Sequence, residues 1–384
     1  MPPPHDRPRA STPWTPSPER AGSPGRAGSP GRAGSPGRAG SSETPGNTVH
    51  LFPGQGDFAV SPLVRAARAH PVVRAALADV FSQVDEVSAA YGIPALGPAL
   101  LGDTPPSGRE LAAGPVGTPQ VALFGASMAV HQALCAIGAA PRRMVAVSFG
   151  EIAALTAAGV FGVPDGTHIA CRLSRFLRRC RGGLTVLSAG AGEAERLIGA
   201  AAARGVAVAC VNDPGETVLS GPVQELGQVE ARAADQGTDA VRLRLPFSSH
   251  HPSLSAQAEG FAAAIRTLPE QPAHTPVHSA VHGGPYGGDD DVCAGLAACL
   301  TRPARLPEVL RGAAVPGPTL VLEAGTGQAL TRNARRVLDG QEGPFATHSP
   351  LQDPDFPWER PGRLHRMGAP GRGHRAPDRE EEIA

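Results

Sequence analysis

Between residues 47 and 340, short runs rich in β-branched residues alternate with longer stretches rich in alanine and leucine. This alternation of strand-like and helix-like segments is the pattern of an α/β fold, in which helices cover a sheet. The segment holds about 290 of the 384 residues, which is enough chain for one domain with a sizeable core and an insertion. We therefore predict that residues 47–340 form a single α/β domain.

A second pattern lies inside this domain, between about residues 183 and 246. Strand-like and helix-like runs follow one another there in the order β-α-β-β-α-β, and the series closes where LPFSSHH begins at Leu245. That order is typical of the split βαβ, or ferredoxin-like, motif. We predict a compact ferredoxin-like subdomain inserted into the larger fold.

The two ends of the chain have a different composition. Residues 1–46 contain 11 Pro, 8 Gly and 7 Ser, and copies of AGSPGR run from Ala21 to Arg38. Such a segment buries too little apolar surface to offset the entropy of ordering it, and it lacks the apolar stretch of a secretory signal. Residues 341–384 are similarly rich in Pro, Gly, Arg and His. We predict that both ends are disordered, together with the tryptophans they contain.

Composition also excludes several classes of function. The sequence contains no lysine, which excludes a Schiff-base or P-loop lysine. The formal net charge of zero argues against a nucleic-acid partner, and no apolar run reaches the roughly 18 residues of a membrane span. Six cysteines occur without CxxC pairs, as expected of reduced thiols in a cytoplasmic protein. The sequence indicates neither a metal nor a dissociable redox cofactor.

Ser148 stands between a predicted strand, Met144–Val147, and a predicted helix, Phe149–Ala158. Small residues at positions −2 and +2, Ala146 and Gly150, give the pattern of a nucleophile elbow, a tight turn that projects the serine hydroxyl into a cleft. The N-terminus of the following helix places positive partial charge where an oxyanion would form. A serine that merely caps a helix fits the same short pattern, so other residues must decide between the two.

A serine nucleophile needs a base and oxyanion donors. His250 and His251 follow Ser148 by about 100 residues, at the predicted hinge after the insertion. Gln55 lies in the turn PGQG, where Gly54 and Gly56 allow its backbone N–H to approach the elbow closely. These residues are candidates for a general base and for an oxyanion hole.

Six segments taken together resemble one family. They are FPGQG (52–56), TPQVALF (118–124), SFGEIAALTAAGV (148–160), VNDPGETVLSG (211–221), SSHHPSL (248–254) and LEAGTGQALT (322–331). Their order and spacing are similar to those of malonyl-CoA:acyl carrier protein transacylases and of the acyltransferase domains of polyketide synthases. The resemblance covers nearly all of residues 47–340, and it implies an α/β-hydrolase-like core with the ferredoxin-like insertion.

The resemblance also implies roles for individual residues. Ser148 would attack the acyl thioester of coenzyme A, and His250, in preference to His251, would act as its base. Backbone N–H groups of Gln55 and Phe149 would form the oxyanion hole. The main-chain carbonyl that orients the histidine in this family would be that of Cys299. Gln120 and Asn212 match positions near the cleft, where structural roles and direct contacts are equally consistent with the pattern.

Three positions depart from the family or leave the acyl group open. The residue before the nucleophile is Val147 instead of His. The arginine that clamps a malonyl carboxylate is replaced by Leu173, which favours a monocarboxylic acyl group because an unpaired buried carboxylate is costly. A shift in helix register would instead bring in Arg172. Ser248 lies in FSSH, a segment that in the family correlates with the acyl group but here matches neither common version.

Three functions remain open at this point. The first is a stand-alone acyltransferase that moves an acyl group from acyl-CoA to the phosphopantetheine thiol of an acyl carrier protein in polyketide or fatty-acid biosynthesis. The second is a thioester hydrolase that uses the same Ser148 and His250 with water as acceptor. The third is a non-catalytic homologue that binds carrier proteins. Coenzyme A enters only as part of the substrate.

Overall fold

The computed structural model describes residues 47–56, 58–313, 317–340, 345–360 and 363–367. The predicted disorder of residues 1–46 therefore lies outside the described residues, as does that of residues 368–384. Within the described ranges no helix is both long and apolar enough to cross a membrane. All six cysteines are free thiols.

The described residues form an α/β structure, as predicted. The strands are β1 (Asn47–Phe52), β2 (Arg143–Ala146), β3 (Gly183–Leu187), β4 (Ala207–Asp213), β5 (Glu216–Gly221), β6 (Ala240–Arg242), β7 (Val277–Ser279), β8 (Gly284–Pro285), β9 (Ala304–Arg305), β10 (Thr319–Glu323) and β11 (Phe345–His348). The helices are α1 (Val60–Ala69), α2 (Pro71–Ser88), α3 (Leu96–Leu101), α4 (Gly108–Ala113), α5 (Thr118–Ala136), α6 (Gly150–Ala157), α7 (Val163–Leu177), α8 (Ala191–Ala200), α9 (Val223–Asp235), α10 (Ser255–Ile265), α11 (Val292–Ala298), α12 (Leu306–Ala313), α13 (Ala329–Leu338) and α14 (Leu364–Met367).

The larger sheet has the strand order β11-β10-β1-β2-β7-β8. Its neighbouring strands pair in parallel except β7 and β8, which are antiparallel. The central strands are buried on both faces, so their sequences do not alternate between an apolar and an exposed polar face. β2 and β10 are largely apolar, whereas β1 also buries Thr48 and His50. Because the strands run parallel, the carboxyl ends of β1 and β2 lie side by side, and the loops that follow them meet at one edge.

The smaller sheet has the order β6-β3-β5-β4-β9. Strands β3 to β6, with helices α8 and α9, follow the predicted order β-α-β-β-α-β, and their pairs are all antiparallel. The segment has a hydrophobic core of its own, which includes Leu187, Leu197, Leu219, Leu226 and Val229. β9 comes from the larger part of the chain and pairs in parallel with β4, so it ties the insertion to the main domain.

The prediction that disorder begins at residue 341 is wrong for residues 345–360. β11 adds a parallel edge strand to β10, and after it Phe356 and Trp358 are 4% and 3% exposed. The rings of these two residues pack with centroids 4.8 Å apart. The Pro- and Gly-rich composition averaged over the whole end concealed this short strand and its two buried aromatic side chains.

Candidate active site

Ser148 occupies the turn between the carboxyl end of β2 and the first residue of α6. Its φ is 55°, in the left-handed region that residues other than glycine rarely adopt. The turn stays attached to β1, because the Val147 amide donates a hydrogen bond to the Phe52 carbonyl at 3.1 Å. A strained serine between a strand and a helix is the geometry expected of a nucleophile elbow.

Two glycines allow the loop after β1 to pack directly against this turn. A Cβ atom on Gly150 would lie 2.7 Å from the Pro53 carbonyl oxygen, which is closer than real Cβ atoms approach. A Cβ atom on Gly54 would lie 3.2 Å from the Val147 carbonyl oxygen and 3.6 Å from the Ser148 Cβ. Since Gln55 follows Gly54, this packing places the backbone of Gln55 beside Ser148.

His250 lies next to the serine hydroxyl. Its Nε2 atom is 2.7 Å from Ser148 Oγ, and its Nδ1 atom is 2.8 Å from the carbonyl oxygen of Arg302. A carbonyl oxygen can only accept, so Nδ1 carries the proton and Nε2 has a free lone pair for the serine O–H. Burial lowers the pKa of His250 to about 4, and the hydrogen bond to Arg302 opposes that shift only in part. The imidazole is therefore neutral at neutral pH, with Nε2 free to accept the serine proton.

The structure corrects the prediction for Cys299. The Cys299 carbonyl accepts the backbone N–H of His250 at 3.1 Å, whereas the ring is oriented by the Arg302 carbonyl, three residues further along the chain. The two carbonyls differ because residues 250–251 run alongside residues 299–300, with the His251 amide donating to Leu300. The side chain of His250 projects beyond this pairing and reaches the next turn of the chain.

His251 points elsewhere. Its Nε2 is 3.0 Å from the Gly205 carbonyl oxygen and its Nδ1 is 2.7 Å from Ser253 Oγ. The ring thus links the hinge to the insertion. Of the two adjacent histidines, the structure brings His250 to Ser148.

Of the two predicted oxyanion donors, Phe149 follows the serine in sequence and Gln55 lies in the loop that packs against the serine turn. Phe149 is the residue directly before α6, and its side chain is buried at 2% exposure. Within the described part of the chain, the amides of Gln55 and Phe149 donate no hydrogen bond to another backbone group. Their assignment as oxyanion donors stays a prediction.

A cleft of about 940 Å³ begins at Gln55 and Gly56. The Gln55 Oε1 atom accepts a hydrogen bond from Gln120 Nε2 at 2.8 Å, and both residues line the cleft. Its buried walls are apolar and include Leu123, Leu177 and Phe247. Ser148 does not line the cleft itself, which reaches the nucleophile turn through Gln55.

Three residues predicted to line the acyl pocket do not line this cleft. Leu173 is 2% exposed in the main core, and its neighbour Ser174 lines the cleft instead, because one residue turns a helix by about 100°. Ser248 is turned away in the same manner, with its Oγ donating to the Arg181 carbonyl at 3.1 Å, while Phe247 faces the cleft.

Asn212 is the third of these residues. Its Nδ2 atom donates to Glu216 Oε1 at 2.8 Å, inside a polar cluster that joins the β4–β5 hairpin to α13. In this cluster the fully buried Asp213 accepts hydrogen bonds from Asn333 at 2.8 Å and from Arg336 at 3.1 Å. Asn212 therefore contributes to the contact between the insertion and the main domain.

The arginines near Leu173 are occupied outside the cleft. Arg172 donates to the Ala264 carbonyl at 2.6 Å, so a register shift that would bring it to the acyl group is not found. The guanidinium of Arg175 lies 4.6 Å from the centre of the Tyr91 ring. Neither arginine lines the cleft.

Sequence reasoning missed Glu151, which is fully buried one turn after the nucleophile. Its Oε1 accepts from Ser279 Oγ at 2.6 Å and its Oε2 accepts from the Tyr286 hydroxyl at 2.8 Å. Burial raises the pKa of Glu151 to about 7, and these hydrogen bonds only moderate the shift. The carboxyl group anchors the start of α6 to the end of β7. Within the described ranges, no three His, Cys, Asp or Glu side chains are arranged to hold a metal ion.

Comparisons with known proteins agree with this geometry. The sequence model of the family described as "Acyl transferase domain" matches residues 112–358. The norsolorinic acid synthase of Dothistroma septosporum is 33% identical over 143 residues, which cover 37% of this chain and only 6% of the synthase. This chain thus spans a small fraction of that relative's length.

Two solved structures share the fold. The malonyl-CoA:acyl carrier protein transacylase (FabD) of Xanthomonas oryzae pv. oryzae has a TM-score of 0.67 at 25% identity, over 80% of this chain and 96% of the other. The acyl transferase domain of SpnD, in complex with 2-(pent-4-yn-1-yl)malonyl, has a TM-score of 0.69 at 23% identity, over 85% of this chain and 78% of the other. The family model matches more than half of this chain, so the chain belongs to the acyl transferase domain family. The resemblance drawn from the six motifs of its sequence is confirmed.

Proposed function

We propose that this acyltransferase moves an acyl group from coenzyme A to the phosphopantetheine thiol of an acyl carrier protein through an ester on Ser148. The observation that carries the proposal is the 2.7 Å distance between His250 Nε2 and Ser148 Oγ, with the opposite ring nitrogen held by a carbonyl. Such a pair activates a serine towards a thioester. The structurally similar FabD protein is a malonyl-CoA:acyl carrier protein transacylase, which supports the same class of donor and acceptor.

In the first half of the reaction, the neutral His250 takes the Ser148 proton as the oxygen attacks the thioester carbonyl carbon. The resulting oxyanion would accept hydrogen bonds from the amides of Gln55 and Phe149. Collapse of this intermediate breaks the carbon–sulfur bond, and the imidazolium returns its proton to the leaving thiolate of coenzyme A. The acyl group then remains on Ser148 as an ester.

In the second half, His250 takes the proton of the carrier's thiol while its sulfur attacks the ester carbonyl. The same two amides would stabilise the second oxyanion, and the proton passes from His250 to Ser148 Oγ as the ester breaks. The carrier leaves with the acyl thioester. The imidazole starts and ends each half of the cycle neutral, as its lowered pKa requires at neutral pH, and it is protonated only while an intermediate exists.

We further infer that the acyl group lacks a free carboxylate. The deep walls of the cleft are Leu123, Leu177 and Phe247, and the arginines closest to Leu173 in sequence are engaged elsewhere. A carboxylate against such walls would lose its hydration without gaining a charged partner. We also assign residues 183–242 as a ferredoxin-like subdomain on an α/β-hydrolase-like core, supported by the antiparallel order β6-β3-β5-β4.

Intact-protein mass spectrometry tests these proposals together. The full chain and its Ser148→Ala variant are incubated briefly with acetyl-, longer acyl-, methylmalonyl- and malonyl-CoA, and then with a phosphopantetheinylated carrier protein. We expect acyl adducts from the monocarboxylic thioesters, no adduct on the variant, and transfer to the carrier. A malonyl adduct would overturn the assignment of the acyl group. Release of free acid at a rate unaffected by the carrier would replace the transferase by a hydrolase, and no adduct on Ser148 would refute the mechanism.

A further inference from the structure

The cleft that begins at Gln55 changes character along its length. At its inner end the lining residues Leu123 and Phe247 are buried, whereas at its outer end Arg109, Arg178 and Arg244 are exposed. The three arginines come from α4, from the end of α7 and from the segment after β6. Three separate parts of the chain therefore place guanidinium groups around one opening.

A second pocket of about 580 Å³ adjoins this opening. It is lined by Tyr91, Val116, Arg175, Arg178 and Arg179, so it shares both Val116 and Arg178 with the cleft. The Tyr91 hydroxyl is fixed at 2.9 Å from His168 Nδ1, and Arg175 lies 4.6 Å from the ring centre. These contacts hold Tyr91 against α7, which carries both His168 and Arg175.

In the described part of the chain, the arginines of these two pockets have no ion-pair partner. The backbone amides of Arg178 and Arg179 donate to carbonyls of α7. The guanidinium groups of Arg109, Arg175, Arg178, Arg179 and Arg244 form no salt bridge or hydrogen bond with another described residue. The acidic residue nearest in sequence, Glu110, is engaged, because its carboxylate accepts from the Ser107 amide at 2.7 Å and from Ser107 Oγ at 2.8 Å. Five unneutralised guanidinium groups in a chain of zero net charge point to an anionic ligand.

We propose that the pocket lined by Tyr91, Arg175, Arg178 and Arg179 holds the phosphorylated nucleotide of coenzyme A, with the pantetheine arm lying along the cleft towards Gln55. This inference rests on the proposed function, since it takes acyl-CoA as the donor. Coenzyme A carries its thioester at one end and its 3′-phosphate and diphosphate at the other. That polarity matches an apolar inner end and an arginine-rich outer end, because guanidinium groups bind phosphate oxygens in bidentate pairs.

A binding measurement tests the site without using catalysis. Calorimetry is run with adenosine 3′,5′-bisphosphate, a phosphorylated fragment of coenzyme A, on the full chain and on Arg178→Ala, Arg179→Ala and Arg196→Ala. Arg196 is an exposed arginine on α8 and serves as the matched control. Losing one charged hydrogen-bonding group should weaken binding by about tenfold for Arg178→Ala, and Arg196→Ala should bind like the parent. Absence of binding to the parent chain, or equal binding by Arg178→Ala, would overturn the proposal.

A kinetic comparison separates this site from the acyl site. Acylation of Ser148 is followed with acetyl-CoA and with S-acetylpantetheine, which lacks every phosphate. For Arg178→Ala we expect KM to rise by about tenfold for acetyl-CoA, with kcat unchanged, and no change for S-acetylpantetheine. An equal loss on both thioesters would mean that Arg178 supports the fold or the acyl group, which refutes the nucleotide assignment. Nucleotide binding without any acylation of Ser148 would instead leave the site intact and refute the proposed function.

Discussion

The pH dependence of Ser148 acylation follows from the burial of His250. Only the neutral imidazole can accept the serine proton, and burial lowers its pKa to about 4. A pKa of about 4 leaves about 90% of the imidazole neutral at pH 5, whereas an ordinary histidine would be about 3% neutral. Between pH 7 and pH 5 the acylation rate should therefore fall by only about 10%. With an unshifted histidine the rate would fall about 25-fold over the same range.

The assay is rapid-quench mass spectrometry of the acyl adduct at subsaturating acetyl-CoA, between pH 4.5 and 8. The fold must persist over the same range, and the same pKa shift works against it. Because the folded-state pKa lies below the unfolded value of about 6.5, the unfolded chain takes up the proton first as the pH falls. At pH 5 this linkage costs about 2 kcal/mol, so circular dichroism must accompany each rate measurement. An acidic limb near pH 6.5 in a protein that is still folded would refute the reasoning.

Three further predictions concern the backbone, a buried carboxyl group and the end of the chain. Ser148→Gly should abolish acylation, because the nucleophile is lost. The same variant should have a free energy of unfolding about 1 kcal/mol higher in urea titrations, because glycine adopts a φ of 55° without strain. A variant less stable than the parent would contradict this prediction. In the parent chain, the folded-state pKa of Glu151, about 7, lies above the unfolded value, so the protonated carboxyl favours folding and the free energy of unfolding should fall by about 3 kcal/mol as the pH rises from 4.5 to 7. Glu151→Gln should remove this loss, because glutamine does not titrate. Unchanged pH dependence in urea unfolding would contradict this prediction. A chain ending at residue 342 should have a clearly lower melting temperature in circular dichroism than one ending at residue 367. The shorter chain lacks β11 and the buried Trp358. Equal melting temperatures would show that residues 343–367 do not stabilise the fold.

Much of the main domain could be predicted because its signals are local. The predicted strand Met144–Val147 and helix Phe149–Ala158 each lie within one residue of the bounds of β2 and α6. Continuous apolar runs identify buried parallel strands, and close-packed glycines mark the turns between them. The order of six motifs added the family, which neither periodicity nor any single motif could establish.

The site could be predicted less completely, since its last details depend on side-chain direction. A position in α7 can be aligned correctly and still face the core, as Leu173 does, while Ser174 faces the cleft. Likewise, the family resemblance implied that the Cys299 carbonyl orients the histidine ring, whereas the structure has the Arg302 carbonyl in that place, because the ring extends past the backbone pairing. A rotation of 100° about a helix axis, or a shift of three residues along the chain, changes which residue is assigned to the site. Neither can be read from the sequence composition.

Backbone strain supports the pairing of Ser148 and His250 independently of the motifs. Among the described residues other than glycine, positive φ occurs at Ser148 (55°), Ala202 (51°) and His250 (55°). Such conformations cost about 1–3 kcal/mol each and persist only where surrounding structure enforces them. Here the enforcing contacts are visible, since β1 packs against the serine turn and the Cys299 and Arg302 carbonyls hold the histidine at its amide and ring. A glycine would relieve the strain at either position, but it supplies neither a hydroxyl nor an imidazole. Strained backbone at both residues of one hydrogen-bonded pair is therefore expected where the two side chains are needed for catalysis.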